Sequence, residues 1–200
     1  MGGSAGAIEP LLAILRALPP RFPIPVAVVI HQARRRASGL AKALQPSCSV
    51  PVREAQDKQP LAGGGVWLAP PDYHLLIERG PACALSVDEP VRFSVPSIDV
   101  LFESAAASLG PRLAAVLLSG ANADGAAGLA AVSAASGLAL VQAPASATSP
   151  EMPQEGLSRC PGACSLAPEA LARRVARLAP ATTSATDAAP AAAATGARAP

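Results

Sequence analysis

Aromatic side chains are scarce in this chain, which has three Phe, one Tyr and one Trp among its 200 residues. Half of the residues are nevertheless hydrophobic, so the core must be built mainly from aliphatic side chains. A chain of this length is long enough to bury such a core in one ordinary domain.

A strong charge of either sign is also absent, because the net charge is +2 and charged residues form only 15% of the chain. Neither a nucleic acid nor a membrane surface is therefore indicated as the main partner. No apolar run approaches the ~20 residues of a spanning helix, so membrane insertion is not expected. The N-terminus lacks the basic start of a signal peptide and reaches Pro10 early, which predicts a cytoplasmic protein.

Cysteines are few, and their number and spacing do not suggest a disulfide framework. In a cytoplasmic protein Cys48, Cys83, Cys160 and Cys164 are expected to be free thiols or small buried hydrophobic side chains. Cys160 and Cys164 have no histidine nearby, so they do not indicate a zinc site. No metal centre is predicted.

Apolar runs alternate along the chain with segments whose apolar side chains recur at helical spacing. A continuous apolar run is typical of a parallel strand buried on both faces, and an apolar stripe is typical of a helix. Their alternation predicts an α/β fold with a mainly parallel sheet flanked by helices. The predicted strands are residues 26–30, 113–118 and 138–142, and the main predicted helices are residues 9–18, 38–44 and 168–178, one capped by Ser97 and one beginning near Gly125.

The middle of the chain predicts a small insertion. Residues 65–68 and 75–78 indicate short strands on either side of a Pro-Pro-Asp turn, and residues 84–87 indicate a third. We interpret this section as a small β-hairpin inserted in the α/β fold.

The composition changes at Pro180, after which Ala, Thr, Pro and Ser follow one another without an apolar period. Such a segment cannot bury enough surface to offset the entropy of ordering it. One domain is therefore predicted over residues 1–179, and a disordered tail over residues 180–200.

Three reactive side chains are predicted at one edge of the sheet, because ligands gather beyond the carboxyl ends of parallel strands. His31 directly follows the strand at residues 26–30, and Asp124 lies a few residues beyond the strand at 113–118. Ser4 lies in Gly-Gly-Ser-Ala-Gly, which fits the G-x-S-x-G pattern of a nucleophile on a sharp strand-to-helix turn. The helix that follows offers unpaired N–H groups to an oxyanion.

Each of these residues also has a structural interpretation. A Gly/Ser loop before a helix can be a simple turn or a phosphate cradle, and Asp124 could merely cap the next helix. His31 could be a hydrogen-bonded structural residue. The only other histidine, His74, precedes its apolar run and would lie at the wrong edge if that strand were parallel.

Several segments, in the same order, resemble the catalytic domain of the chemotaxis protein-glutamate methylesterases. The resemblance extends from Gly2 to about Leu178. Its carriers are Gly-Gly-Ser-Ala-Gly-Ala at residues 2–7, Val-Val-Ile-His at 28–31, Trp-Leu-Ala-Pro-Pro-Asp-Tyr-His at 67–74, Val-Pro-Ser-Ile-Asp-Val-Leu-Phe at 95–102, Ser-Gly-Ala-Asn-Ala-Asp-Gly-Ala at 119–126 and Glu-Met-Pro at 151–153.

This resemblance implies a Rossmann-like fold and a serine hydrolase that needs no cofactor. Ser4 would attack the glutamate methyl ester of a methyl-accepting chemotaxis receptor, His31 would act as base and acid, and Asp124 would orient His31. Some relatives also deamidate receptor glutamines. The remaining alternatives are a nucleotide-binding module or an inactive receptor-docking module.

The chain departs from the family pattern at its start. Many members carry an N-terminal receiver domain, so this chain resembles the standalone form. The family also has a central strand before the serine, whereas three residues precede Ser4 here. The first strand is therefore expected to be truncated, and a start upstream of Met1 is favoured over the loss of a core strand. Arg34, Arg35 and Arg36 are either a contact for acidic receptor helices or a solvated helix start.

Overall fold

The structure is a computed structural model that describes residues 1–32, 39–61, 63–80 and 82–179. Nine strands and six α-helices lie in these ranges. The strands are β1 (Gly2–Gly3), β2 (Val26–Ile30), β3 (Val52–Glu54), β4 (Val66–Leu68), β5 (His74–Glu78), β6 (Ala82–Ser86), β7 (Ala114–Leu117), β8 (Leu138–Gln142) and β9 (Cys164–Leu166), and the helices are α1 (Ile8–Arg16), α2 (Leu40–Leu44), α3 (Ile98–Leu109), α4 (Ala126–Ala134), α5 (Glu151–Arg159) and α6 (Pro168–Ala176).

Seven strands form one sheet in the order β3-β4-β2-β1-β7-β8-β9, and every pair in it is parallel. Parallel neighbours need a crossover connection, which helices supply along most of the chain, whereas the described residues between β3 and β4 contain no helix. The α/β fold with a mainly parallel sheet is thereby confirmed. Because β1 lies at the centre, its carboxyl end adjoins the ends of both β2 and β7, which positions Ser4 between them.

A small antiparallel hairpin accompanies the sheet, but its strands are not all those predicted. β5 pairs with β6, from His74 opposite Ser86 to Glu78 opposite Ala82. The predicted hairpin strand at residues 65–68 instead is β4, which lies between β2 and β3 in the main sheet. That assignment was wrong because a three-residue apolar run has no period that distinguishes an insertion from a buried strand.

The two faces of the sheet carry separate aliphatic clusters, because successive side chains of a strand point to opposite faces. Val28 and Leu118 pack with α1 and α6 on one face. Val29 and Leu117 pack with α3 and α4 on the other. The predicted aliphatic core is therefore present on both sides of the strands that lead to the site.

The central strand is short. β1 has two residues, which pair with Val29 and Ile30 of β2 and with Leu117 of β7. A cavity of about 440 Å³ continues the line of β1, and its lining includes Met1, Val26, Ala27, Ala114 and Val116.

The amino group of Met1 lies at the end of this cavity. It donates a hydrogen bond to the Ala27 carbonyl oxygen at 2.7 Å. Burial removes it from water, which lowers the pKa of this amine from 8.0 to about 5. The amine is therefore neutral in the folded chain at neutral pH.

The remaining sequence predictions concern the cysteines, membrane insertion, the arginine run and the C-terminal tail. The four cysteines are free, Cys83 and Cys160 being buried and Cys164 exposed. Among the residues that the structure describes, no helix has the length and hydrophobicity needed to cross a membrane. The arginine run at residues 34–36 and the predicted tail at 180–200 lie outside the described residues.

Candidate active site

Ser4 lies in a tight turn between β1 and α1, which is the strand-turn-helix context that a nucleophile elbow requires. Gly6 has φ +75°, and a Cβ there would lie 2.5 Å from the Thr148 Cβ. A Cβ at Gly3 would lie 2.5 Å from the Ala7 Cβ. Glycine is therefore needed on both sides of Ser4, whose own N–H donates to the Ser119 carbonyl oxygen at 2.8 Å.

His31 lies beside Ser4 on the adjacent strand. Its N–H donates to the Gly3 carbonyl oxygen at 3.1 Å, so the two residues follow the paired ends of β1 and β2. Its Nε2 donates to Asp124 Oδ2 at 2.8 Å, and 13% of its side chain is exposed. Within the described ranges, no hydrogen bond joins the Ser4 hydroxyl to the His31 ring.

Asp124 is fully buried and accepts four hydrogen bonds, one from His31 and three from residues 97–99. Besides His31, the donors are Ser97 Oγ at 2.8 Å, the Ile98 N–H at 2.7 Å and the Asp99 N–H at 3.0 Å. The two N–H groups belong to the first turn of α3, where a carboxylate is stabilised by the helix dipole. Asp124 therefore joins His31 to the start of this helix.

These donors decide the ionisation of Asp124. Burial by itself raises the pKa of this carboxyl, but the hydrogen bonds from His31, from the Asp99 and Ile98 N–H groups and from Ser97 together lower it below the ordinary aspartate value. A carboxylate that is dry and ionised can orient an imidazole and stabilise its protonated form.

The loop before α4 positions Asp124. Gly125 has φ +92°, and a Cβ there would lie 2.6 Å from both Ile98 Cγ2 and Leu117 Cδ1. The Asp124 N–H donates to Asn122 Oδ1 at 3.1 Å. Asp124 also does not provide a side-chain cap for α4, since no such cap hydrogen bond is present at its N-terminus. The helix-cap interpretation of Asp124 is therefore wrong for α4, although the carboxylate does serve α3.

His74 has a different place from His31. It is 1% exposed, its Nδ1 accepts the Ser97 N–H at 3.1 Å, and its Nε2 donates to the Glu89 carbonyl oxygen at 3.2 Å. Both ring nitrogens are thus occupied by backbone groups. β5 is antiparallel to β6, so the argument from parallel strands did not apply to this histidine.

Asp99 is a second buried carboxyl next to Asp124, and no sequence pattern selected it as a site residue. It accepts the Gly128 N–H at 2.7 Å and Arg92 Nε at 3.2 Å. Burial raises the pKa of Asp99; the Gly128 N–H opposes this rise, the nearby Asp124 charge adds to it, and Arg92 opposes it. The Asp99 carboxylate therefore links α3 to α4 and to Arg92. Among the described residues it forms no hydrogen bond with His31 or His74.

Ser119 also supports the site, and its only sequence signal is its position directly after an apolar strand. Its hydroxyl donates to the Ala5 carbonyl oxygen at 2.7 Å and accepts the Ser149 N–H at 2.9 Å. Its N–H donates to Gln142 Oε1 at 2.9 Å. These bonds fasten the Ser4 turn to the ends of β7 and β8.

A cavity of about 70 Å³ opens beside the site and is lined by His31, Gln32, Phe93, Ser94 and Val95. Among the described residues, no cluster of three or more His, Cys, Asp and Glu side chains is arranged to hold a metal ion. The reactive groups that follow the neighbouring strand ends are the Ser4 hydroxyl, the His31 imidazole and the Asp124 carboxylate.

Two of the relatives found by comparison with known proteins match most of this chain. A protein of Leptospira interrogans is 41% identical over 157 residues, which cover 78% of this chain and 81% of that protein. The protein-glutamate methylesterase/protein-glutamine glutaminase 2 of Anaeromyxobacter dehalogenans is 44% identical over 142 residues, or 71% of this chain, but only 41% of that longer protein is covered.

Solved structures and family models give the same result. The crystal structure of the Thermotoga maritima CheB methylesterase catalytic domain superposes with a TM-score of 0.85 at 26% identity, covering 89% of this chain and 96% of that chain. The family model described as CheB methylesterase matches residues 1–175. This chain therefore belongs to the CheB methylesterase family.

Proposed function

We propose that this chain is a protein-glutamate methylesterase that hydrolyses glutamate methyl esters on methyl-accepting chemotaxis receptors and releases methanol. Ser4 is the nucleophile, His31 the general base and acid, and Asp124 the residue that orients His31. The hydrogen bond of 2.8 Å between His31 and Asp124, next to Ser4 in register, is the main support. Membership of the family supports the reaction.

The reaction proceeds in two acyl-transfer steps. Ser4 Oγ attacks the ester carbonyl carbon while His31 takes the hydroxyl proton; with Nε2 engaged by Asp124, Nδ1 is the nitrogen that receives it. The bond to the methoxy oxygen then breaks, and His31 returns the proton, so that methanol leaves. Water attacks the acyl-enzyme with His31 again as base, and cleavage of the bond to Ser4 restores the glutamate carboxyl.

Burial across the three residues suits these roles. Ser4 is partly exposed, the His31 side chain is 13% exposed, and Asp124 is fully buried. The nucleophile can thus meet a substrate, while the carboxylate is kept from water. Catalytic hydrogen bonds often tighten only when substrate binds, which is compatible with the missing contact between Ser4 and His31.

The turn after Ser4 favours negative charge on the reacting oxygen. α1 begins at Ile8, and its first turn receives no side-chain cap from Ala7. The positive end of the helix dipole therefore faces the Ser4 turn, where a tetrahedral intermediate would carry its oxyanion.

Glutamine deamidation is a second activity that the same site supports. Relatives carry protein-glutamine glutaminase in their names. The acyl-enzyme would be the same, and ammonia would leave in place of methanol. Both activities need no cofactor, and we place the enzyme in the cytoplasm with the receptor segments that it modifies.

The test measures methanol release from a methylated receptor fragment. We expect Ser4→Ala and His31→Ala to abolish release while both variants remain folded, with a cooperative thermal unfolding transition. The matched control is Ser86→Ala, which removes a serine hydroxyl at the end of β6 that donates to the exposed Asp88. A fluorophosphonate probe should label the wild type but not Ser4→Ala. Equal methanol release by wild type and Ser4→Ala would exclude Ser4 as the nucleophile, and a folded wild type that is never labelled would favour a nucleotide-binding or docking module.

A further inference from the structure

The loop between β6 and α3 is fastened at both ends by one buried side chain. His74 donates from Nε2 to the Glu89 carbonyl oxygen at 3.2 Å, and its Nδ1 accepts the Ser97 N–H at 3.1 Å. Residues 90–96 therefore form a loop whose two ends are held to the same imidazole. We refer to residues 89–97 as the 89–97 loop.

A strained turn forms the tip of this loop. The Val91 N–H donates to the Ser94 carbonyl oxygen at 3.2 Å, and the Ser94 N–H donates to the Val91 carbonyl oxygen at 2.9 Å. The two residues between them have positive φ, +48° at Arg92 and +65° at Phe93. A two-residue turn of this kind favours Asn and Gly, so Arg and Phe are held here against their backbone preference.

Arg92 fixes the tip of the loop relative to the site. Its Nε donates to Asp99 Oδ2 at 3.2 Å, and the Asp99 N–H donates to Asp124 Oδ1 at 3.0 Å. Arg92 and Asp99 therefore connect the turn to Asp124, the proposed catalytic carboxylate. A strained conformation that is fastened in this way persists because the surrounding contacts determine it.

Phe93 projects from this turn into solvent. Its exposed fraction is 97%, whereas the other two phenylalanines, Phe22 and Phe102, are 2% exposed. Phe93 also lines the cavity of about 70 Å³ that His31 lines. A large apolar side chain that is exposed beside a reactive site, on a turn whose backbone is held by hydrogen bonds, can act as an anchor for a macromolecular partner.

We infer that Phe93 is a specificity-determining residue that packs on apolar side chains flanking the esterified glutamate of the protein substrate. This inference rests on the proposed function and names what selects its substrate. Because Phe93, Ser94 and Val95 line one cavity with His31, a polypeptide bound at this cavity would lie against the 89–97 loop, whereas a small ester needs no contact with Phe93. The hydrogen-bonded turn fixes the backbone that carries the ring, so binding does not have to order the loop.

The experiment compares Phe93 variants of the full chain on two substrates of different size. With a methylated receptor fragment, Phe93→Ala should raise KM about tenfold with kcat within about twofold, as expected for truncating an interface anchor. The rate of Ser4 labelling by a small fluorophosphonate should not change. Phe93→Trp should restore the wild-type KM, and Val87→Ala, which shortens another exposed apolar side chain, should leave it unchanged.

Phe93→Gly separates recognition from a structural role. Glycine suits φ +65°, so its thermal unfolding midpoint should equal or exceed that of the wild type while KM rises as in Phe93→Ala. A lower midpoint, an unchanged KM, or a parallel fall in labelling rate would overturn the inference. So would a change from dimer to monomer on loss of the ring, which would assign Phe93 to self-association. A wild type that labels but releases no methanol would contradict the proposed function instead.

Discussion

His31 and Asp124 share a hydrogen bond of 2.8 Å whose acceptor, Asp124 Oδ2, also receives the Ile98 N–H at 2.7 Å. One oxygen thus orients the imidazole and satisfies the first turn of α3. The orientation of His31 and the start of this helix therefore depend on the same charged atom.

The first prediction concerns the charge on Asp124. Asp124→Asn should lower kcat by up to ~10⁴-fold, because the amide cannot hold His31 in the tautomer that accepts the Ser4 proton. It should also lower the free energy of unfolding by about 1–3 kcal/mol, since buried donors of α3 lose a charged acceptor. Methanol release and thermal unfolding check both effects. Asp88→Asn, at an exposed aspartate two residues beyond β6, should change neither, and an Asp124→Asn variant within tenfold of wild-type activity would contradict the role.

The second prediction concerns Ser97, whose hydroxyl donates to Asp124 at 2.8 Å and accepts the Val100 N–H at 3.4 Å. Folding lowers the pKa of Asp124. Ionised Asp124 therefore stabilises the fold at any pH above the ordinary aspartate pKa, and this stability is lost as the pH falls through the lowered pKa. Ser97→Ala removes one donor, so the pKa of Asp124 should rise and acid unfolding should begin at a higher pH. Loss of the Ser97 cap on α3 should also lower the free energy of unfolding by about 1 kcal/mol at every pH.

Unfolding midpoints across the acid range measure this shift. The matched control is Ser86→Ala, because Ser86 donates to Asp88 in a similar serine–aspartate pair that is exposed. If the unfolding midpoints of Ser97→Ala and Ser86→Ala fall at the same acid pH, Ser97 does not lower the pKa of Asp124.

The third prediction concerns the turn that carries Ser4. Gly6→Ala places a Cβ 2.5 Å from the Thr148 Cβ at φ +75°, so the turn must shift. We expect a loss of stability of about 1–3 kcal/mol and a fall in kcat of about 10²-fold, the order caused by a misplacement of about 1 Å. Gly39→Ala is the control, because no atom of a described residue beyond its chain neighbours lies within 4 Å of the added Cβ. Wild-type kinetics for Gly6→Ala would show that the turn tolerates displacement.

The fourth prediction concerns the cavity of about 440 Å³ between β2 and β7. A chain extended upstream of Met1 by about six to eight apolar, β-branched residues, an ordinary strand length, should fill it and pair the facing backbone. The thermal unfolding midpoint and ester hydrolysis should both rise. A Gly/Ser extension of equal length is the control, and an apolar extension that melts no higher than the control would show that the strand is dispensable.

The same comparison has a pH signature. The Met1 amine has a pKa of about 5 when folded, against 8.0 as its ordinary value. Between these values the unfolded chain binds more protons, so the stability of the 200-residue chain should fall as pH drops from 8 towards 5. The apolar extension replaces the amine by a peptide bond and should remove this dependence.

Sequence periodicity was sufficient where an element was long or ended in an unusual residue. The apolar run of β2 ends at Ile30, and the polar residue that follows it, His31, lies at the carboxyl edge of the sheet as predicted. Ser97 was predicted as a helix cap, and its hydroxyl does accept the Val100 N–H. These features depend on neighbouring residues along the chain, which a sequence displays directly.

Short elements were harder to assign. β3 and β9 have three residues each and were not predicted, and β4 was assigned to the hairpin. A run of three residues covers less than one helical turn, so strand, helix and loop share the same pattern. Their pairing with longer strands, rather than their own sequence, makes them part of the sheet.

The sequence by itself determined the alternation of strands and helices, the elbow around Ser4 and the placement of Ser4, His31 and Asp124 beyond strand ends. Only the tertiary structure decided that His31 bonds to Asp124, 93 residues away, while His74 bonds to backbone groups and Asp99 to Arg92. It also decided that Phe93 is exposed beside the site. Local pattern depends on the few residues within one turn or strand, whereas these pairings depend on strand order and on the angle at which α3 meets the sheet, and neither is encoded in any single segment.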